Sequence, residues 1–246
     1  MSTVKSAQRT LEVLELMERS RRPLGVSQIA RLLGYPHSST SVLVNCLKDL
    51  GYLNFDPETR EFAPSIRVAL VGGYLRFGDF HASDVLNLLS SIQKATASTT
   101  ILSSRNGVYA QYVYVLPAPG RGIEGLRAGS LRPLTRSAPG LVLMADCSLA
   151  EIGKIVRRIN TLADATEHEV PAETFERVRD ARKAGYAWVY GRLVKDIGSV
   201  AVSLPLHDSF GKAMAVSVAV PRDEIEDRHG ELASIISSLI GKHLDR

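Results

Sequence analysis

The segment that most constrains the fold runs from residue 26 to residue 53, "VSQIARLLGYPHSSTSVLVNCLKDLGYL". A short amphipathic pattern, "VSQIARLL", ends at Gly34, and a second amphipathic pattern begins near Ser38. A glycine directly after a helix and a proline shortly beyond it, here Pro36, stop the first helix and force a tight turn. The spacing therefore predicts two helices joined by a short turn, with Ser27 as the N-cap of the first.

The flanking residues extend this helix pair into a larger pattern. A helix is predicted over residues 6–18, and its apolar face is expected to contain Ala7, Leu11, Leu14 and Met17. After the pair, "YLNFDPETREFAP" predicts a β-hairpin that turns at residues 56–59. The order predicts a winged helix-turn-helix DNA-binding domain over residues 1–64, followed by a linker helix over residues 65–81.

The second helix of the pair has the character of a recognition helix. At 100° per residue its apolar face is predicted to contain Leu43, Cys46, Leu47 and Leu50, which leaves a front of short polar side chains. Short side chains let a helix approach base edges and phosphates closely. The residues predicted to contact DNA are Ser27, Gln28, His37, Ser38, Ser39, Thr40, Ser41, Val42, Asn45, Lys48 and Arg60. The alternative is a small helical subdomain in which the serine-rich turn only caps a helix.

Charge limits how tightly one such domain can hold DNA. The chain of 246 residues has a formal charge of +4, which permits polyanionic partners without requiring them. The first 64 residues contain eight Lys and Arg against seven Asp and Glu. Phosphate neutralisation supplies much of DNA affinity, so two or more domains are expected on one operator. Arg21, Arg22 and Arg31 are additional candidates for phosphate contact.

From residue 82 onward the pattern mixes helices with strands. Residues 82–96 have helical spacing, and Asn106-Gly107 between two alternating segments predicts a β-hairpin. Pro171 and Gly185 bracket another predicted helix. Further helices are predicted over 137–146, 149–158 and 223–243, and strands over 123–128, 186–189, 199–206 and 213–220. This composition predicts an α+β domain with an antiparallel sheet over residues 82–246.

Four segments carry a resemblance to a known family. They are "GVSQIARLLGYPHSSTSVLVNCLKDLGYLNFD", "LRPLTRSAPGLVLMA", "ARKAGYAWVYGR" and "SVAVSLPLHDSFGKAMAVSVAVPRD". Together they resemble the IclR family of bacterial transcriptional regulators. The resemblance implies a winged helix-turn-helix joined to a GAF-like domain that binds a small effector, in a homodimer or homotetramer on double-stranded operator DNA. The chain departs from the family at His37 and Val42, where a lysine and an arginine are common.

The resemblance also implies where an effector would bind. The residues it places there are Ala138, Pro139, Val189, Ser199, Ser217 and Ala219. Strand register adds Ile101, Ser103, Tyr112 and Tyr114 as candidates. Because Val189 supplies no polar group and Pro139 removes a backbone N–H, the expected ligand is an aromatic or otherwise larger organic acid.

Other motifs predict no cofactor, metal or enzyme activity. "GRGIEG", residues 120–125, matches GxGxxG, but Gly129 and Pro133 follow where a dinucleotide-binding fold needs a helix. None of the six histidines has metal-ligand spacing, and no GxSxG elbow is present. Two alternatives remain: an enzyme acting on a small organic acid through the C-terminal domain, and an architectural DNA binder without a ligand.

The two cysteines and the chain start predict the compartment. Cys46 and Cys147 form no CxxC pair and are interpreted as packing residues, with redox sensing by Cys147 as the alternative. The N-terminal residues contain no apolar signal region, and no run is long enough for a membrane helix. The expected location is the cytoplasm, with no membrane partner. Repression and activation both remain open.

Overall fold

The computed structural model of the chain describes residues 4–72, 76–77, 80–119, 126–193, 195–207 and 211–244. The chain divides into two compact units, Met1–Leu75 and Arg76–Arg246. The elements of the first unit are α1 (Lys5–Ser20), β1 (Leu24–Gly25), α2 (Val26–Leu33), α3 (His37–Asp49), β2 (Leu53–Asp56), β3 (Glu61–Pro64) and α4 (Ile66–Gly72).

The first unit is a winged helix-turn-helix, as the sequence predicted. Its three strands form an antiparallel sheet in the order β1-β3-β2, and Leu24 lies opposite Phe62 across the β1–β3 pair. The hairpin of β2 and β3 turns over residues 57–60. The core between helices and sheet contains Val13, Leu16, Met17, Leu24, Ile29, Val44, Leu47, Leu53 and Phe62.

Two local predictions for the first helices differ from the structure. In α1 the predicted face is confirmed at Met17, which is buried, and at Leu14, which packs on the core, but it is wrong at Ala7 and Leu11, which are exposed, Leu11 to 59%. Val13 and Leu16 are buried instead. Apolar residues at 11, 13, 14, 16 and 17 fit two overlapping helical faces, and only the packing partner decides between them. In α2 the N-cap is Gly25 rather than Ser27, because the Gly25 N–H donates to the Gln28 side-chain oxygen at 2.9 Å.

The segment predicted as a linker helix is helical only in part. Helix α4 covers Ile66–Gly72, and it contains no buried residue. The next described residues form two short antiparallel strands, β4 (Arg76–Phe77) and β5 (Phe80–His81). The prediction of a helix up to residue 81 is therefore wrong at residues 76–77 and 80–81, and residues 73–75 and 78–79 lie outside the described residues.

The second unit is an α+β domain. Its helices are α5 (Ala82–Thr96), α6 (Ala138–Leu143), α7 (Leu149–Asn160), α8 (Pro171–Ala184) and α9 (Arg222–Leu244). Its further strands are β6 (Thr99–Asn106), β7 (Tyr109–Leu116), β8 (Leu131–Pro133), β9 (Tyr186–Tyr190), β10 (Ile197–His207) and β11 (Ala213–Pro221). Two short 3-10 turns lie at Leu134–Arg136 and Ala165–Glu167.

Six of these strands form one antiparallel sheet in the order β8-β7-β6-β11-β10-β9. One face bears branched residues such as Val200, Val216 and Val218, and α5 and α9 pack on it. The other face bears smaller residues such as Ala201 and Ala215, on which α6 packs closely. The small side chains let α6 approach the sheet, and the effector residues were predicted on this same face.

A β-bulge in the predicted hairpin changes which side chains share a face. Tyr112 pairs with Ser103 and Tyr114 pairs with the adjacent Leu102, so Val113 is an extra residue in β7. Strict alternation would place both tyrosines on one face. Instead Tyr114 packs with the α5 and α9 core, and Tyr112 lies on the opposite face. The suggestion that Tyr114 lines the effector site is therefore wrong.

The glycine-rich segment between β7 and β8 is described only at its ends. Residues 120–125, which include "GRGIEG", lie outside the described residues. Of the strand predicted over 123–128, residues 126–128 are not in a strand, so that prediction is wrong there. The strand that pairs with β7 on this side is β8, which was not predicted from the sequence; Gln111 lies opposite Leu131.

Candidate DNA interface and effector cavity

The run of hydroxyl residues at the start of α3 divides into two pairs. Ser39 and Thr40 donate their hydroxyls to the Pro36 carbonyl, at 3.1 and 3.0 Å. Thr40 is 1% exposed, and its hydroxyl is satisfied within the first helical turn. The prediction that Thr40 contacts DNA is therefore wrong. Ser38 is exposed and Ser41 is half-buried.

The buried face of α3 is rotated from the predicted one. Thr40, Val44 and Leu47 are buried at the spacing i, i+4, i+7, whereas Cys46 and Leu50 are exposed. The prediction that Cys46 and Leu50 pack in the core is wrong. Thr40 was expected to contact DNA, yet its methyl group suits a core position once the hydroxyl bonds to the backbone.

The outward face of α3 contains most of the remaining candidates. Val42 is 72% exposed, His37 and Ser38 are exposed, and Asn45 is half-buried. The Asn45 amide donates to the Ser41 carbonyl at 2.9 Å and accepts from Lys48 at 3.3 Å. These bonds hold the Asn45 side chain along the helix.

The cationic candidates around α3 are accessible. Arg22, Arg31 and Arg60 are exposed, and Arg21 is exposed while paired with Glu18 at 2.8 Å. Lys48 is half-buried and lies 3.1 Å from Asp49. In α2, Ser27 is exposed and Gln28 is half-buried, with its oxygen engaged at the Gly25 N–H.

The wing of this winged helix-turn-helix is the β2–β3 hairpin, and the Asp56 carboxylate holds its turn, which we call the wing turn. Asp56 accepts hydrogen bonds from the Glu58 N–H at 2.9 Å and from the Thr59 hydroxyl at 3.0 Å. These two donors lower the pKa of Asp56 from its usual value of 3.8, the backbone N–H more than the hydroxyl. Arg60 follows at φ +57°, in the left-handed region, and closes the turn.

The second unit contains a half-open cavity of about 450 Å³, including the space open to solvent at its mouth. It lies on the small-residue face of the sheet, beside the start of α6. Its described lining residues are Ile101, Tyr112, Leu126, Arg132, Ser137, Ala138, Pro139, Val189, Arg192, Leu193, Ile197, Ser199 and Ala219. A concave site with a mostly apolar lining and a few polar groups has the character of a small-molecule site.

Seven of the nine effector-site candidates that remain without Tyr114 line this cavity: Ile101, Tyr112, Ala138, Pro139, Val189, Ser199 and Ala219. Ser103 and Ser217 lie on the same face of the sheet but are not among the described lining residues. Both are fully buried, and their hydroxyls have no hydrogen-bond partner among the described residues. Ser217 pairs with Ile101 and precedes Ala219 by two residues, so it lies next to the cavity floor.

The charged groups of the cavity come from residues that sequence reasoning missed. Arg132 lies with its guanidinium 5.5 Å from the centre of the Tyr112 ring. Burial raises the pKa of Tyr112 despite the opposing effect of Arg132, so the phenol is neutral at neutral pH. Arg192 follows β9 and reaches the cavity from the turn before β10. The two arginines come from segments 60 residues apart, so only the sheet topology brings them to one cavity.

Arg192 belongs to an ion cluster, which we call the Glu169 cluster, of Glu169, Arg136, Arg177 and Arg192. The Arg192 Nη1 lies 3.0 and 3.2 Å from the two Glu169 oxygens, and Arg177 pairs with the same carboxylate. The Arg136 Nε lies 3.8 Å from it. Burial, then the charge of Arg192, lowers the pKa of Arg177, and Glu169 opposes this shift.

A winged helix-turn-helix followed by an antiparallel-sheet domain with a half-open cavity defines a class of DNA-binding transcriptional regulators. Comparison with protein families identifies the particular family within this class. The IclR helix-turn-helix domain matches residues 6–57, and the bacterial transcriptional regulator IclR C-terminal domain matches residues 82–240. The chain therefore belongs to the IclR family, and it is a transcriptional regulator rather than an enzyme.

Individual relatives agree with this assignment. The chain is 25% identical to the HTH-type transcriptional regulator XynR of Escherichia coli (strain K12), over 97% of this chain and 94% of that protein. It is 24% identical to the glycerol operon regulatory protein of Streptomyces griseus, over 90% and 87%.

Solved structures share the fold. The Thermotoga maritima IclR structure matches with a TM-score of 0.59 at 18% identity, covering 98% of this chain and 99% of that chain. The effector domain of the putative regulator IclR from Acinetobacter sp. ADP1 matches with a TM-score of 0.61 at 22% identity, over 67% of this chain and 96% of that chain.

The described residues contain no group of three or more His, Cys, Asp or Glu side chains placed to hold a metal ion. In the described part of the chain, no helix is both long and apolar enough to cross a bilayer.

Proposed function

We propose that this regulator binds a palindromic operator through α3 and that an organic acid in the cavity of the second unit changes operator affinity. The observation that carries the proposal is the outward face of α3, where Ser38 and Val42 are exposed beside the half-buried Ser41 and Asn45. A helix that presents short side chains and anchors its other face in a core can enter a major groove. Bacterial operators lie in the cytoplasm, which is therefore the proposed location.

Specific reading of bases is assigned to two side chains of α3. Asn45 can pair with an adenine edge after exchanging its contacts to Lys48 and Ser41, and Val42 can pack on a thymine methyl. Ser27, Gln28, His37, Ser38, Ser39 and Ser41 are proposed to contact phosphates or bases, and Arg60 and Lys48 phosphates. The weak net charge of residues 1–64 requires more than one such domain on the operator.

An oligomer is proposed from the exposed side of α4. Ile66, Leu70 and Val71 are 74%, 67% and 56% exposed, and no residue of α4 is buried. Apolar residues at i, i+4 and i+5 share one side of a helix. A second copy of the chain would cover this side and place two recognition helices on one operator, as a homodimer or as a dimer of dimers.

The effector is proposed to be an organic acid with an apolar or aromatic body. Ile101, Val189 and Ala219 give the cavity an apolar floor. Val189 offers no charge to a small polar acid, and Pro139 offers no backbone N–H. Binding must favour one operator-binding state of the oligomer over the other for the ligand to regulate.

Fluorescence anisotropy of the full chain on a palindromic promoter fragment and on a scrambled fragment of equal length tests the DNA assignment. Asn45→Ala should weaken binding to the palindrome about tenfold and leave the scrambled fragment unaffected, because a bidentate base contact is lost. Asn87→Ala, an exposed helical asparagine of the second unit, is the matched control. Equal affinity of the wild type for both fragments would contradict the recognition role of α3.

A further inference from the structure

The described lining of the cavity contains positive side chains and no negative one. Arg132 and Arg192 both line it, and the other described lining residues are apolar, hydroxyl-bearing or prolyl. Inside a partly closed, low-dielectric site, a guanidinium group attracts an anion far more strongly than it does in water. The charge of the lining therefore favours a ligand that carries a carboxylate or a comparable anion.

The backbone at the start of α6 is a poor alternative holder for such an anion. Pro139 has no N–H, and the Gly140 N–H already donates to the Ser137 hydroxyl at 3.2 Å. The Ser137 hydroxyl in turn donates to the Pro133 carbonyl at 3.0 Å. The helix has only six residues, so its dipole adds little. A ligand carboxylate therefore depends on side-chain donors.

Arg192 can leave Glu169 for a ligand anion at a small energetic cost, because Glu169 also pairs with other arginines. The Glu169 carboxylate is 7% exposed and also contacts Arg177 and Arg136. Leaving a buried carboxylate without a partner would be strongly destabilising. When Arg192 turns to another anion, Glu169 keeps two guanidinium partners, so that cost is avoided.

The other arginines of the Glu169 cluster have further acidic neighbours. Glu167 lies 2.8 Å from Arg136, and the charge of Glu173 acts on Arg177. The Arg192 backbone is fixed as well, because Arg136 Nη2 donates to its carbonyl at 2.8 Å. The guanidinium can therefore change partner while its chain stays in place.

We infer that Arg192 is the residue that holds the effector carboxylate, and that it exchanges Glu169 for this carboxylate when the effector binds. The inference rests on the proposed function, in which the cavity is the effector site. The ligand it specifies has one carboxylate at the Arg192 end and an apolar body over Ile101 and Ala219. Arg132 adds a second positive charge to the same lining.

Calorimetric titration of the full chain with benzoate, phenylacetate and hexanoate, and with the matching neutral amides, tests the inference. The wild type should bind at least one acid and should bind its amide at least about tenfold more weakly, because a charge-assisted hydrogen bond is lost. Arg192→Gln should weaken binding of the acid about tenfold and leave the amide unchanged. Arg228→Gln is the matched control, because Arg228 is ion-paired with Glu224 and is exposed to the same extent as Arg192, 37%, but does not line the cavity.

The outcomes of this titration distinguish failure of the inference about Arg192 from failure of the proposed effector site. Acid affinity that is equal in the wild type and in Arg192→Gln overturns the inference, and so does an equal loss in Arg192→Gln and Arg228→Gln, which would indicate a general effect of removing an ion-paired arginine. Ala219→Leu narrows the cavity floor and should abolish binding. If binding survives in Ala219→Leu, or if none of the six compounds binds the wild type, the proposed effector site fails together with the inference. Binding that Ala219→Leu abolishes and Arg192→Gln leaves intact overturns the inference alone.

Discussion

Gly140 lies so close to Leu134 that a Cβ atom on residue 140 would be 2.1 Å from the Leu134 carbonyl oxygen. The obstacle is backbone, which cannot move aside as a flexible side chain can. This contact fixes α6 against the 3-10 turn that precedes it, and α6 forms part of the cavity wall.

Gly140→Ala should therefore lower the free energy of unfolding by about 3 kcal/mol, because overpacking forces a backbone shift. Urea unfolding followed by circular dichroism measures the change. Gly153→Ala in α7 is the control, since its Cβ would meet no atom closer than 3.6 Å. Replacing a helical glycine there should stabilise the chain by up to about 1 kcal/mol. Equal effects of the two substitutions would show that α6 is not held as described.

The two cysteines should differ sharply in reactivity. Cys46 is exposed on α3, whereas Cys147 is 8% exposed. Burial raises the pKa of Cys147 more than the nearby Arg105 lowers it, so its thiol stays protonated and unreactive at neutral pH. A thiol reagent such as dithionitrobenzoate should modify Cys46 quickly and Cys147 only on unfolding.

Operator DNA should slow the modification of Cys46, because the reagent reaches it from the same outward side of α3 that enters the groove. A scrambled fragment of equal length, at a concentration where it remains unbound, is the control. Unchanged labelling of Cys46 in the operator complex would place the DNA on another surface.

The oligomer should depend on the exposed side of α4. Leu70→Asp places a charge among the apolar side chains of Ile66 and Val71, so it should raise the dimer dissociation constant by at least about tenfold. Leu149→Asp is the matched control, because Leu149 is exposed to the same extent, 67%, at the start of α7. Sedimentation velocity over a range of concentrations measures the dimer dissociation constants of the two variants. A Leu70→Asp chain that dimerises as the wild type does would exclude α4 as the interface.

Local signals in the sequence predicted much of the fold. Helix α5 and helix α8 have the predicted bounds. The hairpin forms where it was predicted, but its two turn residues are Gly107, at φ +60°, and Val108, because Asn106 still pairs with Tyr109. The hairpin carries a glycine at its turn, α8 a proline and a glycine at its two ends, and α5 apolar residues at helical spacing. Such determinants act over a few residues and need no tertiary context.

Three features that local sequence patterns did not predict depend on tertiary packing. Thr40 is buried and Cys46 exposed because the core selects one of two possible faces of α3. The bulge at Val113 reverses the alternation that would have placed Tyr114 beside Tyr112. Arg132 lies on β8 and Arg192 follows β9, the two edge strands of the sheet, so only the fold of the whole domain brings both to one cavity. None of these three features has a signal within a short window of residues.

The wing turn should respond to acid through Asp56. Its folded pKa is depressed by the Glu58 N–H and the Thr59 hydroxyl, so the stability it contributes is present above the unfolded pKa. That contribution is lost as the pH falls from the usual value of 3.8 through the lower folded value. Thr59→Val removes the second donor and should raise the Asp56 pKa toward 3.8 without restoring it fully, because the backbone donor remains. Carbon-detected NMR titration of the Asp56 carboxyl measures both values, and Thr161→Val, whose hydroxyl donates to the Arg158 carbonyl rather than to a carboxylate, is the control. An Asp56 pKa at its usual value in the wild type would mean that these two donors do not hold the wing turn in solution.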